Sequence, residues 1–329
     1  MKRLDYYWYS RNPVAWILLP LSWLYCTVTT VRRFMYTKGL LSSYTVPAPV
    51  VIVGNITVGG TGKTPLLIGL CQYLLRQGLK PGVVSRGYGT HISGEYSVSD
   101  DDSASSCGDE PLLIRRRTGC PVVVGKDRVA AANKLLTENA CDVILSDDGL
   151  QHYRLKRDVE IAVIDTRRRF GNGFCIPAGP LREPVSRLNS VNMLVYHGDA
   201  GDDYHFHLEL GEAVNLVSAE TRSPASFAGG AVHAVAGIGH PQRFFKQLRS
   251  LGLELIEHAF PDHYQFRPDD IDFADDLPIL MTEKDAVKFG SLQFELKSGE
   301  CLKHAWSVPA VTRLSDRLGR DLLSLINQS

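Results

Sequence analysis

The chain contains no Cys-x-x-Cys pair. Its seven cysteines (Cys26, Cys71, Cys107, Cys120, Cys141, Cys175 and Cys301) are odd in number and scattered, which argues against a disulfide framework or a structural zinc site. Reduced thiols in the cytosol are expected instead. An excess of one charge is also missing, since 36 Lys and Arg offset 36 Asp and Glu. With no net charge there is no global pull toward nucleic acid, and an anionic partner must be met locally. There are no internal repeats. The only biased stretch is the acidic, serine-rich 97–106, which reads as part of a mobile loop. Long hydrophobic runs are lacking as well. The most apolar segment, 14–24, is interrupted by Pro20 and Ser22, short of the roughly 20 residues that a spanning helix needs. No small-residue cleavage site follows it, which argues against a signal peptide. The remainder is globular in composition, 44% hydrophobic and 22% charged, and 329 residues suffice for two domains of ordinary size.

The stretch that organises the chain is 50–64. An apolar run over 50–56 reads as a buried strand. Thr57-Val58-Gly59-Gly60-Thr61-Gly62 follows as a glycine-rich turn, then Lys63-Thr64, then the helical spacing of Leu66, Leu67, Leu70, Leu74 and Leu75. Strand, glycine turn, Gly-Lys-Thr and helix make a phosphate cradle. Glycines let backbone N–H groups turn inward, the helix N-terminus adds its positive end, Lys63 reaches the β/γ-phosphates and Thr64 offers a hydroxyl to Mg²⁺. The strict pattern wants glycine where Thr57 stands, so Gly59, Gly60 and Gly62 supply the flexibility.

Ahead of this stretch, Asn12-Pro13 is a helix start with Asn as cap and Pro at the first helical position. The apolar segment behind it carries Trp16, Trp23 and Tyr25. Lys2, Arg3 and Arg11 precede it, and Arg32, Arg33 and Lys38 follow. That pattern fits a helix lying at a membrane surface. Downstream, strands at 83–84, 120–125, 141–147 and 159–165 alternate with helices, which implies a mostly parallel sheet with helices on both faces. The strand ending in Asp147-Asp148 supplies the carboxylates a P-loop enzyme needs for Mg²⁺ opposite its Gly-Lys-Thr. Gly108-Asp109-Glu110-Pro111 opens a helix, and alone it reads as an ordinary cap with first-turn acids. Residues 167–190 form a long basic loop suited to a phosphorylated ligand. His205 and His207 have metal-like spacing, but they alternate along a strand with no acidic or thiol partner nearby. The segments 205–210 and 213–219, separated by Gly211-Glu212, suggest a two-stranded ribbon. A second βα unit restarts at 231. Its Gly237-Ile238-Gly239 lacks the rest of a dinucleotide fingerprint.

The expected architecture is α/β. It divides into an N-terminal membrane-associating segment (1–45), a P-loop domain (46–200), a linker ribbon (201–220), a smaller α/β unit (221–312) and a C-terminal helix (313–329).

Taken together, Gly59-Gly60-Thr61-Gly62-Lys63-Thr64-Pro65, Ser85-Arg86-Gly87-Tyr88-Gly89, Gly108-Asp109-Glu110-Pro111, Asp147-Asp148-Gly149-Leu150-Gln151-His152, Gly179-Pro180-Leu181-Arg182-Glu183, Phe260-Pro261-Asp262-His263-Tyr264 and Thr282-Glu283-Lys284-Asp285-Ala286 resemble the tetraacyldisaccharide 4′-kinase family of lipid A biosynthesis. They run in order along nearly the whole chain. The resemblance implies transfer of the γ-phosphate of ATP, with Mg²⁺, to the 4′-hydroxyl of a lipid disaccharide 1-phosphate at the cytoplasmic face of the bacterial inner membrane. By the same resemblance Asp109 is the base, His263 orients it and Lys63 holds phosphate. Thr64, Glu110, Asp147 and Asp148 serve Mg²⁺, and Arg128, Gln151, His152 and Arg182 fall at substrate positions. A base and its His partner on separate units require closure, so a hinge is expected near 205–219. No obligate protein partner and no nucleic acid are implied. Two other classes fit the P-loop. A membrane-associated ATPase switch usually carries a Lys just before its glycine pair, where Val58 stands here. A soluble small-molecule kinase leaves the N-terminal helix unexplained.

Overall fold

The computed structural model describes residues 7–10, 12–87, 92–198, 204–289 and 300–328. Lys2, Arg3, Arg11, Tyr88 and Gly89, and the chain break expected at 199–202, lie outside the described residues.

Helix α1 (Pro13–Thr37) begins as its sequence suggests, with the Asn12 side chain accepting the Ala15 N–H at 3.0 Å and Pro13 in the first turn. It runs through Pro20 without stopping. The nine-stranded sheet is built on β1 (Val50–Gly54), β2 (Pro81–Ser85), β3 (Tyr96–Ser97), β4 (Val122–Val124), β5 (Val143–Asp147), β6 (Val159–Asp165), β7 (Met193–His197) and β8 (His205–Leu210). These are joined by α2 (Lys63–Arg76), α3 (Ala104–Cys107), α4 (Asp109–Thr118) and α5 (Arg128–Glu138). The smaller sheet contains β9 (Ala213–Asn215), β10 (Thr221–Arg222), β11 (Ala231–Ala236), β12 (Glu254–Ala259), β13 (Ile279–Thr282) and β14 (Ala305–Val308), with α6 (Pro241–Ser250), α7 (Glu283–Phe289) and α8 (Glu300–Lys303). Strand β15 (Ala310–Leu314) and helix α9 (Asp316–Asn327) end the chain.

The large sheet has the order β15-β8-β7-β6-β1-β5-β2-β4-β3, parallel except at its two edge strands. Strand β1 is central and fully buried, as an apolar strand covered on both faces must be. One face packs on Leu66, Leu67, Leu70 and Leu74 of α2, all fully buried. Each such leucine contributes about 1.5–3 kcal/mol by leaving water. The smaller sheet has the order β10-β9-β14-β13-β11-β12, with β11, β12, β13 and β14 parallel.

Two expectations are corrected here. The segments 205–210 and 213–219 do not pair with each other. Strand β8 pairs antiparallel with β15, Ala310 opposite Leu210, and β9 pairs antiparallel with β14. The connection between the sheets is thus two-stranded, but its second strand comes from 305–314. Pro309 accepts the Gly211 N–H at 2.8 Å where the two strands pass from one sheet to the other. Gly211-Glu212 is therefore a crossover and not a hairpin turn. The helix expected from Arg313 starts at Asp316, because Arg313 still lies in β15. Helix α9 packs back on the P-loop domain through Leu318, Leu322 and Ile326.

The acidic stretch is also tied down. Asp100 receives Arg115 at 3.1 and 3.0 Å, and Asp102 accepts from Tyr96 at 2.7 Å. Charge pairing adds order to that given by Val98, which is buried in the core.

Candidate active site

Strand β1 ends at Gly54, and the next side chain, Asn55, organises the loop. Its amide donates to the Thr57 and Thr61 hydroxyls at 3.2 and 3.1 Å, and its oxygen accepts from Lys63 Nζ at 3.1 Å. Gly59 and Gly62 have φ of 106° and 93°, the left-handed region that side chains avoid. Gly62 caps α2, so Lys63 and Thr64 sit in the first helical turn, at the positive end of the dipole.

The 167–190 loop backs this cradle. The Val58 N–H donates to Pro180 O at 2.8 Å, and the Arg182 N–H donates to Ile56 O at 2.7 Å. Thr57, the departure from the strict pattern, forms an antiparallel bridge with Leu181. Gln151 donates to Asn55 O at 3.2 Å and to Glu183 at 2.9 Å. Gln151 thus ties this wall to the base of the loop.

The two acids after β5 behave oppositely. Asp147 is buried, takes a 3.4 Å bond from Ser85 through Oδ2, and has no hydrogen-bond partner at Oδ1. Burial, then Glu110 and Asp148, push its carboxyl up to about 7. Asp148 lies 3.4 Å from Lys63 Nζ and accepts Arg182 at 2.9 and 2.8 Å. Burial works upward there too, but Lys63 and Arg182 outweigh it and hold the carboxyl at about 2.

Across from these, the second unit delivers His263 and Lys284. His263 Nδ1 is 3.1 Å from Asp109 Oδ2. Lys284 donates to Glu110 at 2.9 Å and Asp262 at 3.3 Å, and lies 3.9 Å from Asp109. Burial opposes ionisation of Asp109, but the His263 hydrogen bond and Lys284 bring its carboxyl down to about 2. In return, the Asp109 hydrogen bond raises His263 above its ordinary value. Asp109 is thus not a helix cap. Gly108 holds that place, and the acid is free to face the other unit.

Of the remaining sequence candidates, Arg182 joins the charged network through Asp148. Arg128 is buried and donates to the carbonyls of Gly125 at 2.8 Å and Asp147 at 3.1 Å, so it braces the strand end. The Nε2 of His152 is buried with no hydrogen-bond partner, and burial, then Arg128, lower its ring to about 4. Among the described residues, no three His, Cys, Asp or Glu side chains converge as a closed metal cage. Mg²⁺ does not need one, because it takes one or two carboxylates and fills its octahedron with phosphate oxygens and water. The bare Oδ1 of Asp147 and the Thr64 hydroxyl suit such a half-open site.

A profile of the tetraacyldisaccharide-1-P 4′-kinase family matches residues 14–327. The chain belongs to that family. It is a kinase of lipid A synthesis. A tetraacyldisaccharide 4′-kinase of Nitrosococcus oceani is 47% identical over 98% of this chain and 94% of its own length. One from Pasteurella multocida is 46% identical over 98% of both chains. The crystal structure of LpxK from Aquifex aeolicus in complex with ATP superposes with a TM-score of 0.78 at 28% identity, covering 96% of this chain and 99% of that one.

Within this kinase the sequence reading gave Asn55 no part, and it quoted Glu183, Asp262 and Lys284 in motifs without giving them one. A polar side chain directly after an apolar strand was the one visible signal for Asn55. Nothing local marks Lys284, whose partners lie 174 and 22 residues away.

Proposed function

We propose that the chain transfers the γ-phosphate of ATP to the 4′-hydroxyl of tetraacyldisaccharide 1-phosphate, with Asp109 as base and His263 as its orienting partner. The observation that carries this reading is the Asp109–His263 contact, made by an ionised carboxylate on the P-loop domain and an imidazole on the second unit. Lys63 and the N–H groups of 59–64 hold the donor's phosphates. Thr64, Asp147 and Glu110 are the groups that would hold Mg²⁺, with Asp148 fixing Lys63 beside them. The cation, when bound, supplies charge neutralisation on the phosphates. Arg182, Gln151 and His152 line the wall toward the acceptor, with Arg128 bracing the strand behind them.

The chemistry follows from the charges. The acceptor oxygen attacks the γ-phosphorus in line, the bond to the ADP oxygen breaks, and the hydroxyl proton passes to Asp109 as that hydroxyl becomes acidic. A carboxylate held near 2 is a weak base toward a resting alcohol, so it acts only late in the transfer. Most of the rate then comes from positioning and charge compensation. His263 at Oδ2 and the Glu110 N–H at Oδ1 hold the carboxylate in place for that transfer.

The acceptor comes from the inner membrane, reached by α1 at the cytoplasmic face. Helix α1 touches its own protein along most of its length. Ser22 bonds Cys175 O at 2.7 Å, Trp16 meets Phe174 edge-on, Arg33 donates to Ser190 at 2.7 Å and Tyr36 stacks on Tyr153. Its other side leaves Ile17, Trp23, Leu24 and Val28 exposed. By length and composition the helix could cross a membrane. A crossing helix would leave the protein body, so the contacts from Trp16 to Tyr36 favour a helix lying on the surface.

The deciding experiment is incubation with ATP, Mg²⁺ and the lipid disaccharide 1-phosphate, scored by mass for one added phosphate. Fast ATP hydrolysis without lipid and no phosphorylated lipid would refute the proposal.

A further inference from the structure

We infer that Arg243 and His197 are positioning residues for ATP: together they pin the Thr61 carbonyl outward and so aim the Gly62 N–H into the phosphate cradle. The inference rests on the reading of 59–64 as the ATP site. It adds that the cradle is finished by a side chain from the other unit.

His197 ends β7 and Asp165 ends β6, and the two are register partners in the large sheet. Both are buried. Arg243 lies in α6 of the second unit and reaches across. One nitrogen is 3.0 Å from Asp165 Oδ2, and another is 2.8 Å from the His197 ring nitrogens. Asp165 is already anchored, because its Oδ1 takes the N–H groups of Arg167 and Arg168 at 2.9 and 3.0 Å. The His197 Nδ1 is 3.0 Å from the Thr61 carbonyl. A carbonyl only accepts, so Nδ1 carries the proton. Arginine only donates, so the imidazole must be neutral with its lone pair on Nε2. Burial and then Arg243 lower His197 to about 4, which agrees with a neutral ring.

The consequence for the loop is geometric. In a trans peptide the C=O and the following N–H point in opposite directions. Cis bonds among the described residues are confined to Ile176-Pro177. Holding the Thr61 oxygen against His197 therefore turns the Gly62 N–H away from it, toward the side where phosphate binds. The ring is packed tightly there. A Cβ on Gly62 would fall 2.5 Å from His197 Nδ1 and 3.1 Å from Phe206, on which His197 is stacked. The junction is close nearby as well. A Cβ on Gly239 would lie 3.2 Å from the Gly60 nitrogen, and Arg168 donates to Gly239 O at 3.3 Å.

The test is equilibrium titration of the full chain with ATP and Mg²⁺, without lipid, alongside kinase kinetics. Arg243→Ala should weaken ATP binding about tenfold and raise KM for ATP equally, with kcat changed less than about threefold. His197→Phe keeps the stacking but cannot donate, and should match it. His197→Gln offers an N–H to Thr61 and an oxygen to Arg243, and should recover binding to within about threefold of the wild type. The double variant Arg243→Ala/His197→Phe should be no worse than either single change, because both act through one contact. Unchanged ATP binding in Arg243→Ala, multiplied losses in the double variant, or a His197→Gln as weak as His197→Phe would each overturn the inference. The Arg243→Ala variant is read beside its own denaturation midpoint, so it decides the question even where His197→Phe fails to fold. Lys63→Ala separates the two readings. Intact ATP binding in that variant would sink the ATP site itself, whereas its loss beside normal binding in Arg243→Ala would sink only the positioning role.

Discussion

The Nδ1 of His263 lies 3.1 Å from Oδ2 of Asp109, although 154 residues separate them and they belong to units built on different sheets. One contact therefore measures both chemistry and closure. Asp109→Ala should lower kcat by a factor of roughly 10² or more while ATP still binds, since the base acts in the transfer and not in holding the donor. His263→Ala should lose less, because the carboxylate stays in place. Single-turnover kinetics with direct ATP titration checks both. A near-normal rate in Asp109→Ala would remove it as base.

The same pair predicts a pH dependence of stability. His263 is raised in the folded state, so its share is full below the ordinary value near 6.5 and is lost as pH climbs through the raised value. Asp109 is depressed to about 2, so its share is present above the ordinary carboxylate value and is lost as pH falls toward 2. Wild type should thus exceed Asp109→Asn in stability most clearly around pH 5 to 6. The gap should narrow as pH climbs through the raised value of His263. Denaturant midpoints across that range decide it, and a gap independent of pH would contradict the pairing.

Asp147 has the opposite sign. Its folded value near 7 lies above that of an unfolded carboxyl, so the folded state binds the extra proton. Stability should fall as pH rises from about 4 to 7, and the ionised carboxylate is a cost above that. Asp147→Asn should therefore melt higher than wild type at pH 8. A cation that uses the bare Oδ1 would relieve that cost. Mg²⁺ with ATP should raise the melting temperature of wild type more than that of Asp147→Asn. Equal shifts would exclude Asp147 from the metal site.

The cradle and the strand-end acids were legible because their chemistry is written in short spacing. Gly59 to Thr64 and Asp147-Asp148 are each one strand end and one turn. Asp109, Glu110 and His263 could be named only through resemblance, since alone they look like a first-turn acid pair and a loop histidine. The ribbon was misread for a related reason. Alternation marks a strand over 205–210 and over only the first three residues of 213–219, and it says nothing of partners; Ala310 opposite Leu210 is a pairing across a hundred residues. Asn55 and Lys284 were missed because their worth lies in which charges surround them. The full length of α1 was also hidden. Pro20 forgoes one hydrogen bond, and the helix continues to Thr37.

Gly62 tests the cradle by size. Its φ of 93° disfavours any side chain, and a Cβ would meet the His197 ring at 2.5 Å. Gly62→Ala should destabilise the fold by about 1–3 kcal/mol and weaken ATP binding by more than about tenfold. Gly78 also has positive φ, 83°, but has open space around its Cβ and lies past the far end of α2. Gly78→Ala should show only the backbone cost, with ATP binding intact. Equal ATP binding in the two variants would contradict the close fit between loop and ring.

Helix α1 separates its two faces in the same way. Ile17 is 78% exposed and Trp23 65%, whereas Leu19 is 7% exposed against the body. Ile17→Glu and Trp23→Glu should leave the denaturation midpoint almost unchanged, within about 0.5 kcal/mol, because neither side chain is packed. Both should reduce sedimentation with vesicles, since each places a charge on the exposed apolar face that the proposal sets against lipid. Activity on lipid dispersed in detergent should then fall less than activity on lipid in vesicles. Leu19→Glu should instead destabilise the protein itself, by burying a charge with no partner. If the two outward variants bind vesicles like wild type, the helix does not deliver this kinase to its acceptor and the membrane is met elsewhere.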